Sequence, residues 1–252
     1  DFFSGVQLHY AINPLFFSKI HGIIQGNSPR KTRGCGQMKK IVLLGDSIRL
    51  IGYGTKVPEL LGDGYEVWQS PDNGRFAQYT LRMLFECRDK IQGADVIHWN
   101  NGHWDLCELF GDGSFTPLEV YVETMERIAR LLQSYGKKVI FATTTPVAPG
   151  SPTNRDEVIR QFNEAIVPRL AARGIAINDL YSLVAADVER YICDDGIHLS
   201  AEGIDLCGNA VVRAIREAEA AADILPEQQG GPFLGPPFYI GSERVGAGLR
   251  PA

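Results

Sequence analysis

Ser47 stands where an apolar run stops. Ile41, Val42, Leu43 and Leu44 follow Lys39 and Lys40, and the chain then breaks at Gly45-Asp46. Such a run reads as a buried parallel strand that the glycine ends. The carboxyl edge of a sheet is where open α/β folds place their chemistry, although Asp46 or Ser47 would serve equally as the cap of a following helix. To act as a nucleophile, a serine hydroxyl needs a base to take its proton and a third group to orient that base. The chain holds five histidines: His9, His21, His98, His103 and His198. His9 and His21 fall in an N-terminal stretch without clear periodicity, and His98 lies inside a strand-like run and reads as a buried, satisfied side chain. His103 follows Gly102 in the next loop, where it would line a pocket. His198 stands in "CDDGIHLSAEG", directly before a helical pattern, and Asp195 precedes it by three residues. One turn of chain would bring that carboxylate to the ring nitrogen facing away from the serine, setting the tautomer and stabilising the imidazolium. The competing reading is a helix lead-in, with Asp195 solvated and His198 exposed.

The scaffold that must unite these positions is a strand–helix alternation. Strand-like runs cover residues 40–44, 65–69, 94–99, 138–143 and 175–179. Between them, residues 75–91 align Phe76, Tyr79, Met83, Leu84, Cys87 and Ile91 on one helical face. Residues 117–136 open on Pro117, align Leu118, Val122, Met125, Ile128 and Leu132, and close on Gly136 as C-cap. A third helical stretch spans 154–174, and a last one begins at Ser200 as N-cap. Five short, nearly continuous apolar strands separated by helices predict a three-layer α/β/α fold around a five-stranded parallel sheet, flavodoxin-like in plan.

Composition narrows the functions open to such a fold. The 252 residues are 44% hydrophobic and 22% charged with a net charge of −5, which argues against a nucleic-acid-binding surface. No apolar stretch has the length of a membrane span. Five cysteines (Cys35, Cys87, Cys107, Cys193 and Cys207) lack CxxC spacing and read as reduced thiols in a cytoplasmic setting, neither a disulfide frame nor a zinc site. The ends differ from the middle. Residues 1–37 read as a non-native or poorly ordered leader, with Met38 directly before the first strand as the expected start. Residues 38–225 read as the folded domain, and residues 226–252, rich in Gly and Pro, as a disordered tail.

"LLGDSI" near the start of the domain, together with "DGIHLSAEG" near its end, resembles the SGNH, or GDSL-type, serine hydrolases. In that family the serine follows the first strand, and an Asp-x-x-His pair precedes the last helix. The resemblance makes Ser47 the nucleophile and Asp195 and His198 its partners. It implies a glycine after the second strand whose N–H helps hold an oxyanion, and Gly74 takes that place in "QSPDNGRFAQYTLRML". The family's third block is normally Gly-x-Asn-Asp. Here "WNNGHWDL" keeps Gly102 and Asp105 but has Trp104 at the asparagine position, so Asn100 is expected to supply the amide, with Asn101 as second choice. All four blocks occur in order within residues 38–222.

What the resemblance implies is two-step acyl transfer to water, through an acyl-serine, with neither a metal nor an organic cofactor. The expected partner is a small-molecule ester, with no nucleic acid and no membrane. Asn101, His103 and Trp104 are expected to contact it, and Trp68, Trp99, Trp104 and Phe110 to stack on sugar faces or wall an acyl pocket unless they are core. No long apolar lid interrupts the blocks, so a small acyl group such as acetyl is favoured, on a carbohydrate or another alcohol. Two neighbouring functions use the same residues: an acyltransferase with the same triad, and a carbohydrate- or small-ligand-binding protein with little turnover. The spacing leaves the oligomeric state open.

Overall fold

The computed structural model describes residues 38–221; the expectations for the leader and for the Gly/Pro-rich tail lie outside the described residues. Strands β1 (Lys39–Leu44), β2 (Tyr65–Gln69), β3 (Ala94–Trp99), β4 (Gly136–Ala142) and β5 (Ala176–Asn178) form one parallel sheet in the order β2-β1-β3-β4-β5. The helices are α1 (Val57–Leu61), α2 (Ala77–Glu86), α3 (Arg88–Ile91), α4 (His103–Leu106), α5 (Leu118–Tyr135), α6 (Asp156–Ala172), α7 (Leu180–Ala185), α8 (Val188–Tyr191) and α9 (Ala201–Ala220).

The central strands β1, β3 and β4 bury consecutive residues on both faces, which is why they read as apolar runs, whereas the edge strand β2 is only partly buried. Val42, Leu44, Ile97, Trp99 and Phe141 pack with residues of α2, α5 and α6, whereas Ile41, Leu43, Val96 and Ile140 pack with residues of α1, α7 and α9. In α5 the buried stripe Tyr121, Met125, Ile128 and Leu132 follows the helical period. The three-layer α/β/α fold is therefore as expected. From β1 the chain passes to β2 on one side and then to β3 on the other, so the strand order reverses between β1 and β3. Leu44 is opposite Trp99 there, and both strands empty into the same crevice, the place where such sheets bind ligands.

Two elements differ from the periodicity. The helical stretch 75–91 breaks at Cys87 (φ −100°, ψ 12°) into α2 and α3. Gly136 closes α5 in an extended conformation (φ −130°, ψ 162°), so it is also the first residue of β4. The stretch after Ser47 carries no helical signal because Gly52, Gly54 and Pro58 interrupt it. It folds as a π-helical turn (Ile48–Gly52), a 3-10 turn (Tyr53–Thr55) and α1, whose second position accommodates Pro58. Among the described residues no helix is long and apolar enough to cross a membrane.

Candidate active site

The exit of β1 is held by long-range polar contacts. Gly45 has φ +151°, and a Cβ there would lie 1.9 Å from Asn100 Oδ1, so only glycine fits against the carboxamide. Asp46 is buried; its Oδ1 accepts from the Ile48 N–H at 3.0 Å and from Asn100 Nδ2 at 2.7 Å. Burial raises the Asp46 carboxyl above its ordinary value, against the opposing pull of Asn100, Ile48 and Arg49. The Arg49 guanidinium, wholly buried, donates to the carbonyls of Ser70 at 2.7 Å, Asp72 at 2.8 Å and Gly45 at 3.0 Å, stitching the exit of β2 to that of β1. Ser47 sits above this floor, at the head of the π-helical turn. Its backbone N–H has no backbone acceptor among the described residues.

The loop before α9 is shaped by contacts close in sequence. Ile192 and Leu199 form an antiparallel bridge, the Cys193 N–H donates to the His198 carbonyl at 2.8 Å, and the Gly196 N–H donates to the Cys193 carbonyl at 2.9 Å. Asp195 Oδ1 accepts from the N–H groups of Ile197 and His198, both at 2.9 Å. Ser200 caps α9 by accepting from the Gly203 N–H, as its position predicts. This turn leaves Asp195 Oδ2 2.6 Å from His198 Nδ1 and His198 Nε2 2.8 Å from Ser47 Oγ. Partial burial works against ionisation of Asp195. The N–H groups of His198 and Ile197, the His198 ring and the Cys193 thiol outweigh it and hold the carboxyl well below the usual carboxylate range. An anionic acceptor at Nδ1 assigns the ring proton there and leaves the Nε2 lone pair to the Ser47 hydroxyl. The three groups picked out by spacing thus meet in one hydrogen-bonded line.

The residues expected around them divide. Asn100 turns toward the Ser47 loop, with Oδ1 accepting from the Tyr53 hydroxyl at 2.8 Å and one amide N–H donating to Asp46; the second N–H has no such commitment. Gly74 requires a correction. Its single N–H donates to the Gly45 carbonyl at 2.8 Å, where a Cβ would sit 2.7 Å from that oxygen, so the glycine permits a close backbone approach and its N–H is not offered to an oxyanion. Asn101 also departs from expectation. It points to the opposite face, accepting from Trp99 Nε1 at 2.7 Å and donating to the Arg75 carbonyl at 2.9 Å, and its full burial removes it from substrate contact. His103 is likewise enclosed: Nε2 lies 3.0 Å from Thr145 Oγ1, and Asn154 Nδ2 is 3.2 Å from Nδ1. Burial, with the nearby His198 a lesser cause, pushes the His103 imidazole down to about 3, so it is a neutral structural ring. Trp104 remains 41% exposed and Phe110 79%, whereas Trp99 is buried on Phe141 and Trp68 packs against the core.

Asp105, matched from the third block, reaches across to α2, where both carboxylate oxygens face the Ala77 N–H (2.9 and 3.1 Å). Arg49 and Tyr53 carried no sequence signal, since each acts through partners far along the chain. Among the described residues no group of three His, Cys, Asp or Glu side chains is placed to hold a metal ion.

No family model matches the chain. The GDSL esterase/lipase CPRD49 of Arabidopsis thaliana is 28% identical over 208 residues, 71% of this chain and 80% of that protein. Among solved structures, the lipase/acylhydrolase from Enterococcus faecalis aligns with a TM-score of 0.62 at 23% identity, covering 71% of this chain and 96% of that one. The acetyl xylan esterase AlAXEase aligns with a TM-score of 0.60 at 20% identity, over 69% of this chain and 98% of its own. The chain thus resembles GDSL esterases/lipases in sequence and shares the fold of these acylhydrolases.

Proposed function

We propose that the chain is a serine esterase that removes small acyl groups, acetyl above all, from a carbohydrate or another small alcohol. The observation that carries this reading is the unbroken line Ser47 Oγ, His198 and Asp195, with separations of 2.8 and 2.6 Å. As Ser47 Oγ attacks the ester carbonyl, its proton passes to His198 Nε2, and Asp195 stabilises the imidazolium. The carbonyl electron pair becomes an oxyanion, received by the Ser47 N–H and the uncommitted N–H of Asn100. Each such donor is worth about 3–4 kcal/mol in the transition state. Collapse breaks the ester C–O bond, and His198 returns the proton to the leaving alcohol. Water then attacks the acyl-serine by the same route, freeing the acid and Ser47.

A small acyl group is favoured because the connections 107–117 and 143–155 at this sheet edge carry no helix that would cover a long chain. The likeness to an acetyl xylan esterase supports the same choice. Trp104, open beside the third block, is suited to a sugar face or an acyl group. The described cysteines Cys87, Cys107, Cys193 and Cys207 are all free thiols, which supports a reducing, cytoplasmic setting.

Hydrolysis of p-nitrophenyl acetate by wild type and by Ser47→Ala tests the reading. The variant should keep its melting temperature and lose about four orders of magnitude or more in kcat. Equal rates would contradict it.

A further inference from the structure

Alternation along β3 sends Val96, His98 and Asn100 to the face packed by α9, and Ile97 and Trp99 to the other. A line of polar side chains threads that otherwise apolar face. Asn178 Nδ2 lies 3.1 Å from His98 Nε2, and His98 Nδ1 lies 3.5 Å from the Tyr53 hydroxyl. Tyr53 donates to Asn100 Oδ1 at 2.8 Å, and Asn100 donates to Asp46 Oδ1 at 2.7 Å. All five side chains are buried. Polar groups in such a layer destabilise a fold unless each is satisfied, so apolar residues of similar shape would pack at lower cost.

The line has a direction. The Asn178 amide makes His98 Nε2 an acceptor, so the ring proton sits on Nδ1 and faces the Tyr53 oxygen. Burial keeps this imidazole neutral, with its pKa down at about 3, in agreement with a single ring proton. With its oxygen facing that proton, the Tyr53 hydroxyl directs its own hydrogen to Asn100 Oδ1. The Asn100 carboxamide is therefore pinned at both ends, its oxygen by Tyr53 and one N–H by Asp46. Its planarity then fixes where the second N–H points.

We propose that Tyr53 is a positioning residue: its hydroxyl, oriented by His98 and Asn178, holds the Asn100 carboxamide so that the free N–H meets the oxyanion formed at Ser47. The inference rests on the esterase reading. Tyr53→Phe keeps the ring and removes only the hydroxyl, leaving the Asn100 carbonyl unpinned.

The test is a double-mutant cycle on p-nitrophenyl acetate hydrolysis with wild type, Tyr53→Phe, Asn100→Ala and the double variant, with the melting temperature of each. Tyr53→Phe should lower kcat about 10-fold with KM held within about twofold, and the double variant should be no slower than Asn100→Ala alone. A Tyr53→Phe enzyme with wild-type kcat overturns the proposal whatever its melting temperature, and so do losses that multiply in the double variant. Ser47→Ala runs alongside. Activity surviving in Ser47→Ala removes the esterase reading itself, whereas an inactive Ser47→Ala beside a fully active Tyr53→Phe removes only the positioning role.

Discussion

The loop that carries Asp195 and His198 and the floor beneath Ser47 are built by opposite means. The loop closes mainly on itself: the hydrogen bonds that shape Asp195 and the His198 backbone run to residues two to five positions away, with one longer tie from the Ala148 N–H to the Gly196 carbonyl. The floor joins Gly45 and Asp46 after β1, Tyr53 in the next turn, Gly74 after β2 and Asn100 after β3, through bonds that span up to 54 residues. The loop is also the more exposed, with the Asp195 side chain half open to solvent, whereas the floor is buried. Substitutions in the loop should therefore act on chemistry and spare stability. Those in the floor should touch both, because each leaves a buried partner unsatisfied.

His198→Ala sets the upper end of the scale. It is expected to lower kcat by about 10⁴-fold or more with little change in melting temperature, and Asp195→Ala should cost roughly tenfold less, since the imidazole remains even when poorly oriented. A large fall in melting temperature for His198→Ala would show that the loop is not the independent unit its bonds describe. Within the floor, Asn100→Ala is expected to lower kcat about 10²–10³-fold with little change in KM. Asn101→Ala, which removes a partner of Trp99 and of the Arg75 carbonyl, should lower the melting temperature while kcat stays within about threefold. Equal kinetic losses in the two variants would erase the distinction between the two faces of β3.

A smaller effect follows from pH. Burial, against the pull of Thr116 and the Ala77 N–H, raises the Asp105 carboxyl from 3.8 to about 7. Between those values the folded chain holds a proton that the unfolded chain gives up. This group's contribution to stability is therefore full below about pH 3.8 and is lost as pH rises through 7. On passing from pH 5 to pH 8, the melting temperature of wild type should fall further than that of Asp105→Asn, as read by calorimetry; parallel profiles would contradict this. Smallest of all, Trp104→Ala should shift KM and the preference among acetyl, propionyl and butyryl esters a few-fold at nearly constant kcat. A loss confined to kcat would place Trp104 in the chemistry instead.

The same contrast decides what was legible in the chain. β3 coincides with its apolar run because a doubly covered strand writes its burial into consecutive residues. Ser47, Asp195 and His198 were legible for a related reason: a strand end, a tight turn and a helix cap are short-range features. The floor is different in kind. Gly74 was visible as a glycine after the second strand, yet the acceptor of its N–H is the Gly45 carbonyl, which no local pattern reveals. His103 and Asn101 read as site residues because they sit in the right loop, and they were lost to Thr145, Asn154, Trp99 and Arg75, each from another part of the fold or from the strand's opposite face. Tyr53 lay in a stretch whose glycines and proline hid its turns, so its bond to Asn100 had no signature at all.

Covalent capture tests the central claim most directly. The full chain is treated with a p-nitrophenyl alkylphosphonate, whose phosphoryl centre accepts attack by an activated serine and expels nitrophenolate. Intact mass and peptide mapping then follow. The account predicts one adduct, on Ser47 in the peptide that contains Gly45-Asp46-Ser47, formed at a rate that collapses in His198→Ala. An unmodified Ser47, or labelling that proceeds equally in His198→Ala, would contradict it.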